Sequence, residues 1–503
     1  MNSSLLTDGY KLDHRRQYPK GTEYVYSNWT PRSNHYLPQA KGAVVFGIQY
    51  MLIKIFVEEF GKNFFDIKKE VAVESFKHRV DTFLGTGNGV GTEHIAALHD
   101  LGYLPVRVKA LPEGEICPIG CPMLTIVNTH PDFFWVTNFL ETIMSCELWL
   151  PMTSATIAHL YKKELKNHAE KTGFDGIDFL CHDFSMRGMG GVEASILSGM
   201  GHLTSFCGSE TIPAIAAVEK YYNVNAKDYL IAATIPATEH SVMCAGGMED
   251  EFRTFERLIT ETYPNGFASI VSDTWDFWKV ITEYLPKLKD AIMARDGRLV
   301  IRPDSGDPVK IIAGYTAEEV REYYSDFGCE PIGRILPEYE IKGAYECLIE
   351  LFGHTLTDKG YKMLDSHIGM IYGDSITMER QKEIYRRLEA KGICASNLVL
   401  GIGSYTYQYK TRDNLGFAMK ATWCQINGEG KEIFKHPKTD DGTKNSLKGL
   451  IRVDKEGKGM YVAHDQVSVE EENEGLLETV FENGEMKKFS TFEEIRNNLR
   501  KYE

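Results

Sequence analysis

One pattern constrains the fold of this chain more than any other. Six times between residues 179 and 404, a short apolar run ends in a small polar cluster. Phe179-Leu180-Cys181 leads into His182 to Arg187, Leu230 to Ala233 into Thr234 to Ser241, and Ser269-Ile270-Val271 into Ser272-Asp273. Leu299-Val300-Ile301 leads into Arg302 to Gly306, Ile368 to Tyr372 into Gly373-Asp374-Ser375, and Leu398-Val399-Leu400 into Gly401 to Ser404. Apolar strands alternating with helices predict parallel strands covered on both faces. Functional groups then gather at the C-terminal ends of the strands, on one face of a barrel or open sheet. The pattern alone leaves the choice between barrel and sheet open.

The flanks read differently. Residues 20–150 mix strand-like stretches such as Tyr24-Val25-Tyr26 with helical ones such as Tyr50 to Phe60, and short strands and turns follow Arg412. Phe481 to Met486 reads as a hairpin on an Asn-Gly turn. Ser490-Thr491-Phe492-Glu493 reads as the capping box of the last helix, and Ser272-Asp273 as the cap of a helix near Trp275. An amphipathic helix is expected from Met378 to Ala390, and the acidic stretch Glu470 to Glu474 reads as a solvated loop.

The 503 residues suit two or three interleaved domains. A net charge of −15 disfavours nonspecific nucleic-acid binding and makes any convergence of Arg and Lys informative. No apolar run reaches the ~18 residues of a membrane helix, and the charged start has no export signal, so a soluble cytoplasmic protein without a membrane partner is expected. Of ten cysteines only Cys117 and Cys121 are close in sequence, and the second pair of a zinc site is missing, so free thiols are expected.

Several clusters suit a sugar phosphate. Gly373 and the Gly403-Ser404 turn would let backbone N–H groups approach a phosphate. Arg302 with Asp304 is either a structural ion pair or, with Asp374, a clamp on ribose hydroxyls; such carboxylates also stabilise an oxocarbenium-like transition state. Phe184 is a core residue or a platform for a flat base. Arg187 and Arg412 are fork donors for phosphate, with Lys420 and Lys435 as added charge. His240 follows Glu239 on the same face, and its residue type alone leaves structural and catalytic roles open.

Together these stretches resemble the type II nicotinate/nicotinamide phosphoribosyltransferase family, on its nicotinamide branch. The matching motifs are Thr7 to Lys11, His182-Asp183-Phe184 with Arg187-Gly188, Glu239-His240-Ser241, Val271-Ser272-Asp273, Ile301 to Gly306, Gly373-Asp374 and Thr411-Arg412-Asp413. The resemblance implies an irregular TIM-like α/β barrel over residues 176–412. A second, β-rich α+β domain would be built from residues 1–175 and 413–503. It also implies a head-to-tail homodimer with shared active sites, acting on nicotinamide and 5-phosphoribosyl pyrophosphate. Mg²⁺ would be held mainly through substrate phosphates with no dedicated protein site, and ATP would be an activating co-substrate.

By the same resemblance, Phe184 and the partner subunit's Tyr10 sandwich the base, with Asp8, Arg187 and Glu210 beside it. Arg302, Asp304 and Asp374 hold the ribose, and Ser269, Asp273, Gly373, Gly403 and Ser404 serve ribose and phosphate. Arg32, Arg412, Lys420 and Lys435 line the pyrophosphate side, and His240 matches a histidine phosphorylated by ATP. The family usually carries Asp where Glu210 stands; either carboxylate accepts an amide N–H and repels a nicotinate carboxylate. Nicotinate transfer, or a dimeric binding protein without catalysis, are the competing readings.

Overall fold

The computed structural model describes residues 1–325, 335–373, 375–434, 447–457 and 459–503. Asp374 and Lys435 of the expected site lie outside the described residues. Six parallel strands form the central sheet: β1 (Cys181–Asp183), β2 (Gly208–Ser209), β3 (Ala268–Val271), β4 (Leu299–Arg302), β5 (Ile368–Tyr372) and β6 (Leu398–Ile402). They lie in the order β2-β1-β6-β5-β4-β3. Leu299, Ile301, Ile368, Met370, Leu398 and Leu400 are all fully buried, as parallel strands covered on both faces require.

The two edges of this sheet meet through one irregular segment. Ala233 bridges Gly208 beside β2, and Ala237 bridges Ser269 in β3. Leu230–Ala233 was expected as a strand, but only these single bridges form. Pro236 has no N–H to give a ladder, and its carbonyl instead accepts from Ser269 N at 2.8 Å. The result is the irregular α/β barrel, with a seam in place of a stave.

A separate antiparallel sheet of seven strands draws on both ends of the chain. Its order is Glu429–Glu432, Ala418–Ile426, Thr22–Thr30, Leu124–Asn128, Val106–Ala110, Glu478–Glu482 and Glu485–Met486. The last two strands form the expected hairpin, with Asn483 and Gly484 at φ 52° and 84°, the left-handed pair that Asn-Gly supplies. Between the sheets runs the helix Glu141–Thr172. The helix Val192–Leu203 crosses it at Gly201, where a Cβ would come within 2.8 Å of Ala155 N.

Three local expectations shift. The final helix Phe492–Arg500 is capped one residue later than expected, by Thr491 with Glu494, because Ser490 is held through its backbone by the Gln49 amide. The helix opening at Phe277 is capped by Asp276, since Asp273 is spent elsewhere. Glu470–Glu474 belongs to a helix, Val469–Glu474, with Ser468 and Glu471 as a reciprocal cap, and Glu472 is buried against Lys109. The helix Met378–Ala390 forms with the expected bounds. The nine described cysteines are free thiols. Among the described residues no helix is long and apolar enough to cross a membrane.

Candidate active site

Alternate residues of a strand point to one face, and in this barrel the inward row carries His182 and Phe184, Val300 and Arg302, Ile371, and Val399. They line a cavity of about 390 Å³ together with Glu210, Ala233, Thr234, Ile235, Ala237 and Ser269. Where the row continues past Ile371 and Val399, it reaches glycine. A Cβ on Gly373 would stand 3.1 Å from Arg302 Nε and from Asp304 Cβ, and one on Gly401 2.5 Å from the Tyr372 carbonyl. Glycine at these two positions keeps the mouth open.

At one side of the mouth the Arg302 guanidinium lies 4.7 Å from the centroid of Phe184, and His182 packs against the same ring at 4.7 Å. Glu210 is anchored through a single oxygen: Oε1 accepts from His182 Nε2 at 3.1 Å and from the Thr234 hydroxyl. The bond from His182 is the chief reason its carboxyl lies below the usual glutamate range; burial opposes the shift and Thr234 reinforces it. Both bonds fall on the same oxygen, Oε1. Asp183, fully buried, accepts from Ser185 N, Ser209 Oγ and Thr211 Oγ1, tying the Phe184 loop to the Glu210 loop.

The other side is acidic. Asp273 Oδ2 accepts from the backbone N–H groups of Asp304 and Ser305 at 3.0 and 2.8 Å. His240 Nε2 lies 3.4 Å from Asp304 Oδ1 and 3.9 Å from Asp273 Oδ1, and its Nδ1 is 3.3 Å from Thr274 Oγ1. Burial and the neighbouring Asp273 push the Asp304 carboxyl up. Burial acts on Asp273 in the same sense, but hydrogen bonds from Ser305 and Asp304 outweigh it and hold it down. Among the described residues Arg302 Nε, Asp273 Oδ1, Ser269 Oγ and Ser185 Oγ are buried without a hydrogen-bond partner. Buried polar groups are normally satisfied; of these four, Arg302 and Ser269 line the cavity and Asp273 lies against Asp304 and His240, which marks this side as a place built for a polar ligand.

The phosphate elements are close by. The short helix Ser404–Gln408 opens after Gly403, and Ser404 sits against Gly188 beside the exposed Arg187. The first amides of a helix have no intrahelical acceptor, which suits an anion. The Gly373 amide is already used by the Pro303 carbonyl at 3.1 Å, so its contribution is space rather than a donor. Arg32 is half-buried beside Arg412, and its Nε donates to the Gly416 carbonyl at 3.1 Å. Lys420 lies on the strand Ala418–Ile426. Asp8 and Tyr10 do not reach Phe184 in this chain; they line a second groove, with Arg412 and Trp149.

Sequence reading assigned no role to His182 or to Thr234. His182 stands two positions before Phe184, and that spacing in a strand is the signal that puts both on one face. Thr234 is brought to Glu210 only by the seam, which no local pattern reveals.

Known proteins resemble the chain along its length. The profile of the "Nicotinate phosphoribosyltransferase (NAPRTase) family" matches residues 179–485, and that of "Nicotinamide phosphoribosyltransferase, N-terminal domain" residues 2–108. The nicotinamide phosphoribosyltransferase of Acinetobacter baylyi is 49% identical over 99% of this chain and 97% of its own length. That of Mycoplasma pneumoniae is 35% identical over 88% and 94%. Two solved structures share the fold. Nicotinate-nucleotide pyrophosphorylase from Pyrococcus furiosus has a TM-score of 0.57 at 17% identity, covering 99% of this chain and 94% of its own. Human nicotinic acid phosphoribosyltransferase has 0.53 at 15%, covering 99% and 93%. A barrel with a glycine-lined mouth, a Phe184–Arg302 platform and an extended full-length relationship agree: this chain belongs to the nicotinate phosphoribosyltransferase family.

Proposed function

We propose that this chain transfers the phosphoribosyl group of 5-phosphoribosyl pyrophosphate to nicotinamide, giving nicotinamide mononucleotide and pyrophosphate. The observation that carries the reading is the anchored Glu210 carboxylate beside the Phe184 platform. With Oε1 occupied by His182 and Thr234 and its carboxyl held below the usual range, Glu210 is a fixed acceptor for the amide N–H of nicotinamide. The same charge repels the carboxylate of nicotinate.

The ring nitrogen of nicotinamide carries a free lone pair, so no strong base is needed. It forms a bond to the anomeric carbon as the bond from that carbon to the pyrophosphate oxygen breaks. Positive charge develops on the sugar, and the Asp304 carboxylate is placed to stabilise it. Arg302 holds the ribose beside Phe184, and the amides at Gly403 and Ser404 take the 5′-phosphate. Arg32, Arg412 and Lys420 take the leaving pyrophosphate, where basic side chains offset the acidity of the whole protein. Asp374 and Lys435 are assigned to ribose and pyrophosphate on the resemblance alone.

Magnesium prefers oxygen ligands and keeps much of its shell for substrate phosphates. Asp273 Oδ1, without a hydrogen-bond partner and grouped with ligand atoms of Asp304 and His240 within 4.8 Å, would fit such an ion. When bound, it neutralises charge on the leaving group. We assign His240 as the acceptor of a phosphoryl group from ATP, which would couple hydrolysis to product formation; its ring is about half exposed and backed by Asp304. A homodimer is part of the reading, because Tyr10 is 63% exposed and outside the Phe184 cavity. Tyr10 of the partner subunit would complete the base sandwich. Free thiols throughout the described chain accord with a reducing cytoplasm.

The test is incubation with 5-phosphoribosyl pyrophosphate, Mg²⁺ and either base, with and without ATP. The expected result is faster formation of nicotinamide mononucleotide than of the nicotinate product, stimulated by ATP. Faster turnover of nicotinate at equal concentration overturns the choice of base.

A further inference from the structure

Glu210 and Thr234 come from segments twenty-four residues apart, and what fixes one against the other lies outside the mouth. Arg496, on the helix Phe492–Arg500, is 4% exposed. Its Nε donates to the Leu203 carbonyl at 2.8 Å and Nη2 to the Phe206 and Ile231 carbonyls at 3.2 and 2.6 Å. Nη1 donates to the Leu230 carbonyl at 2.6 Å and to Tyr229 Oη at 3.4 Å. A guanidinium has five N–H donors, and all five are used. The group also lies 4.8 Å from the centroid of the Phe492 ring and 5.5 Å from that of Tyr229.

Four of the five acceptors are backbone carbonyls, divided between the segment that leads into Glu210 (Leu203, Phe206) and the segment that leads into Thr234 (Leu230, Ile231). From Phe206 the chain reaches Glu210 in four residues, and from Ile231 it reaches Thr234 in three. Between them the seam adds the Ala233–Gly208 bridge, with Ala233 N donating to the Cys207 carbonyl at 2.8 Å, and the bond from Thr234 to Glu210 itself. We propose that Arg496 is a positioning residue for base selection: it sets the register of the seam so that Thr234 and His182 clamp one oxygen of Glu210 and leave the other for the amide. The inference rests on the proposed role of Glu210. A lysine cannot replace Arg496, because one ammonium with three donors cannot span carbonyls on two strands of chain.

The experiment compares kcat/KM for nicotinamide and nicotinate in the full-length enzyme, for wild type, Arg496→Lys, Glu210→Ser and the double variant. Losing several charge-assisted bonds should lower the nicotinamide-to-nicotinate ratio of Arg496→Lys about tenfold, mostly through KM for nicotinamide. In the Glu210→Ser background the same change should leave the ratio unaltered, because the group that Arg496 positions is gone. If Glu210→Ser alone leaves the ratio intact, the reading of Glu210 fails. If Glu210→Ser shifts the ratio but Arg496→Lys lowers only the unfolding temperature, or lowers turnover of both bases equally, the inference about Arg496 is overturned. Should Arg496→Lys not accumulate as folded protein, Tyr229→Phe removes one acceptor. It should lower the ratio about threefold, and an unchanged ratio then overturns the proposal.

Discussion

Two buried polar clusters in this molecule have opposite character. Where the helix Val469–Glu474 packs on the antiparallel sheet, Lys109 and Glu472, with side chains 9% and 10% exposed, meet at 2.6 Å, and Asn473 Oδ1 takes a second bond from Lys109 at 2.8 Å. Neither side chain has a buried polar atom left without a hydrogen-bond partner among the described residues. At the barrel mouth, Arg302 Nε, Asp273 Oδ1 and Ser269 Oγ are buried without a hydrogen-bond partner among the described residues, while Asp273 and Asp304 hold two carboxylates close together. Satisfied burial builds a fold; unsatisfied burial, sustained by packing elsewhere, holds groups ready for a ligand.

The comparison breaks most easily at its closed end. Lys109→Met should strand a buried carboxylate and cost roughly 3–5 kcal/mol of stability, read as a fall in the unfolding midpoint, with the ratio of the two base activities unchanged. A loss of base selectivity in this variant would mean that the clusters are not separable. Asp304→Ala should do the reverse, lowering kcat by roughly 10²-fold or more for a transition-state contact while leaving the unfolding midpoint at or above that of the wild type. Near-normal turnover would remove Asp304 from the chemistry. Glu210→Ser should raise nicotinate activity relative to nicotinamide by at least about tenfold, since like-charge juxtaposition costs several kcal/mol.

The smallest effect sharpens the contrast through pH. The Asp304 carboxyl is raised by burial and then by Asp273, so the folded chain holds its proton more tightly than the unfolded chain does. Ionisation of Asp304 therefore costs stability. The cost is absent below the ordinary aspartate value of 3.8, grows as pH rises through the folded value, and is constant above it. Asp304→Asn should accordingly stabilise the protein more at neutral pH than near that ordinary value. Calorimetric scans at both conditions check this, and equal or opposite shifts refute it.

What could be read from the sequence followed the reach of each interaction. Four apolar runs, at 269–271, 299–301, 368–372 and 398–400, become strands because burial on both faces needs little beyond apolar side chains. The run at 179–181 touches a strand only at Cys181, and β2 was too short to announce itself. Phe184, Arg302, Asp304, Asp273 and His240 meet at one mouth because their polar clusters follow those runs. Caps were readable in kind but slipped in position: Asp273 was drawn off to Asp304 N and Ser305 N, and Ser490 to Gln49. The helix at Val469–Glu474 was hidden because its acidic residues look solvated until Lys109, some 360 positions away, is placed beside Glu472. The bond from Thr234 to Glu210 and the role of Arg496 could not be read, since these partners are defined by tertiary contact alone.

The seam has a consequence for how such an enzyme changes over time. Ala233, Thr234, Ile235 and Ala237 form one wall of the cavity, yet that wall is attached by two single bridges rather than by a ladder. A residue inserted or deleted there would alter the width offered to the base without slipping any stave of the barrel. The acceptable ring can thus be retuned in one irregular hem, while the groups proposed to hold the sugar stay fixed at the ends of the strands.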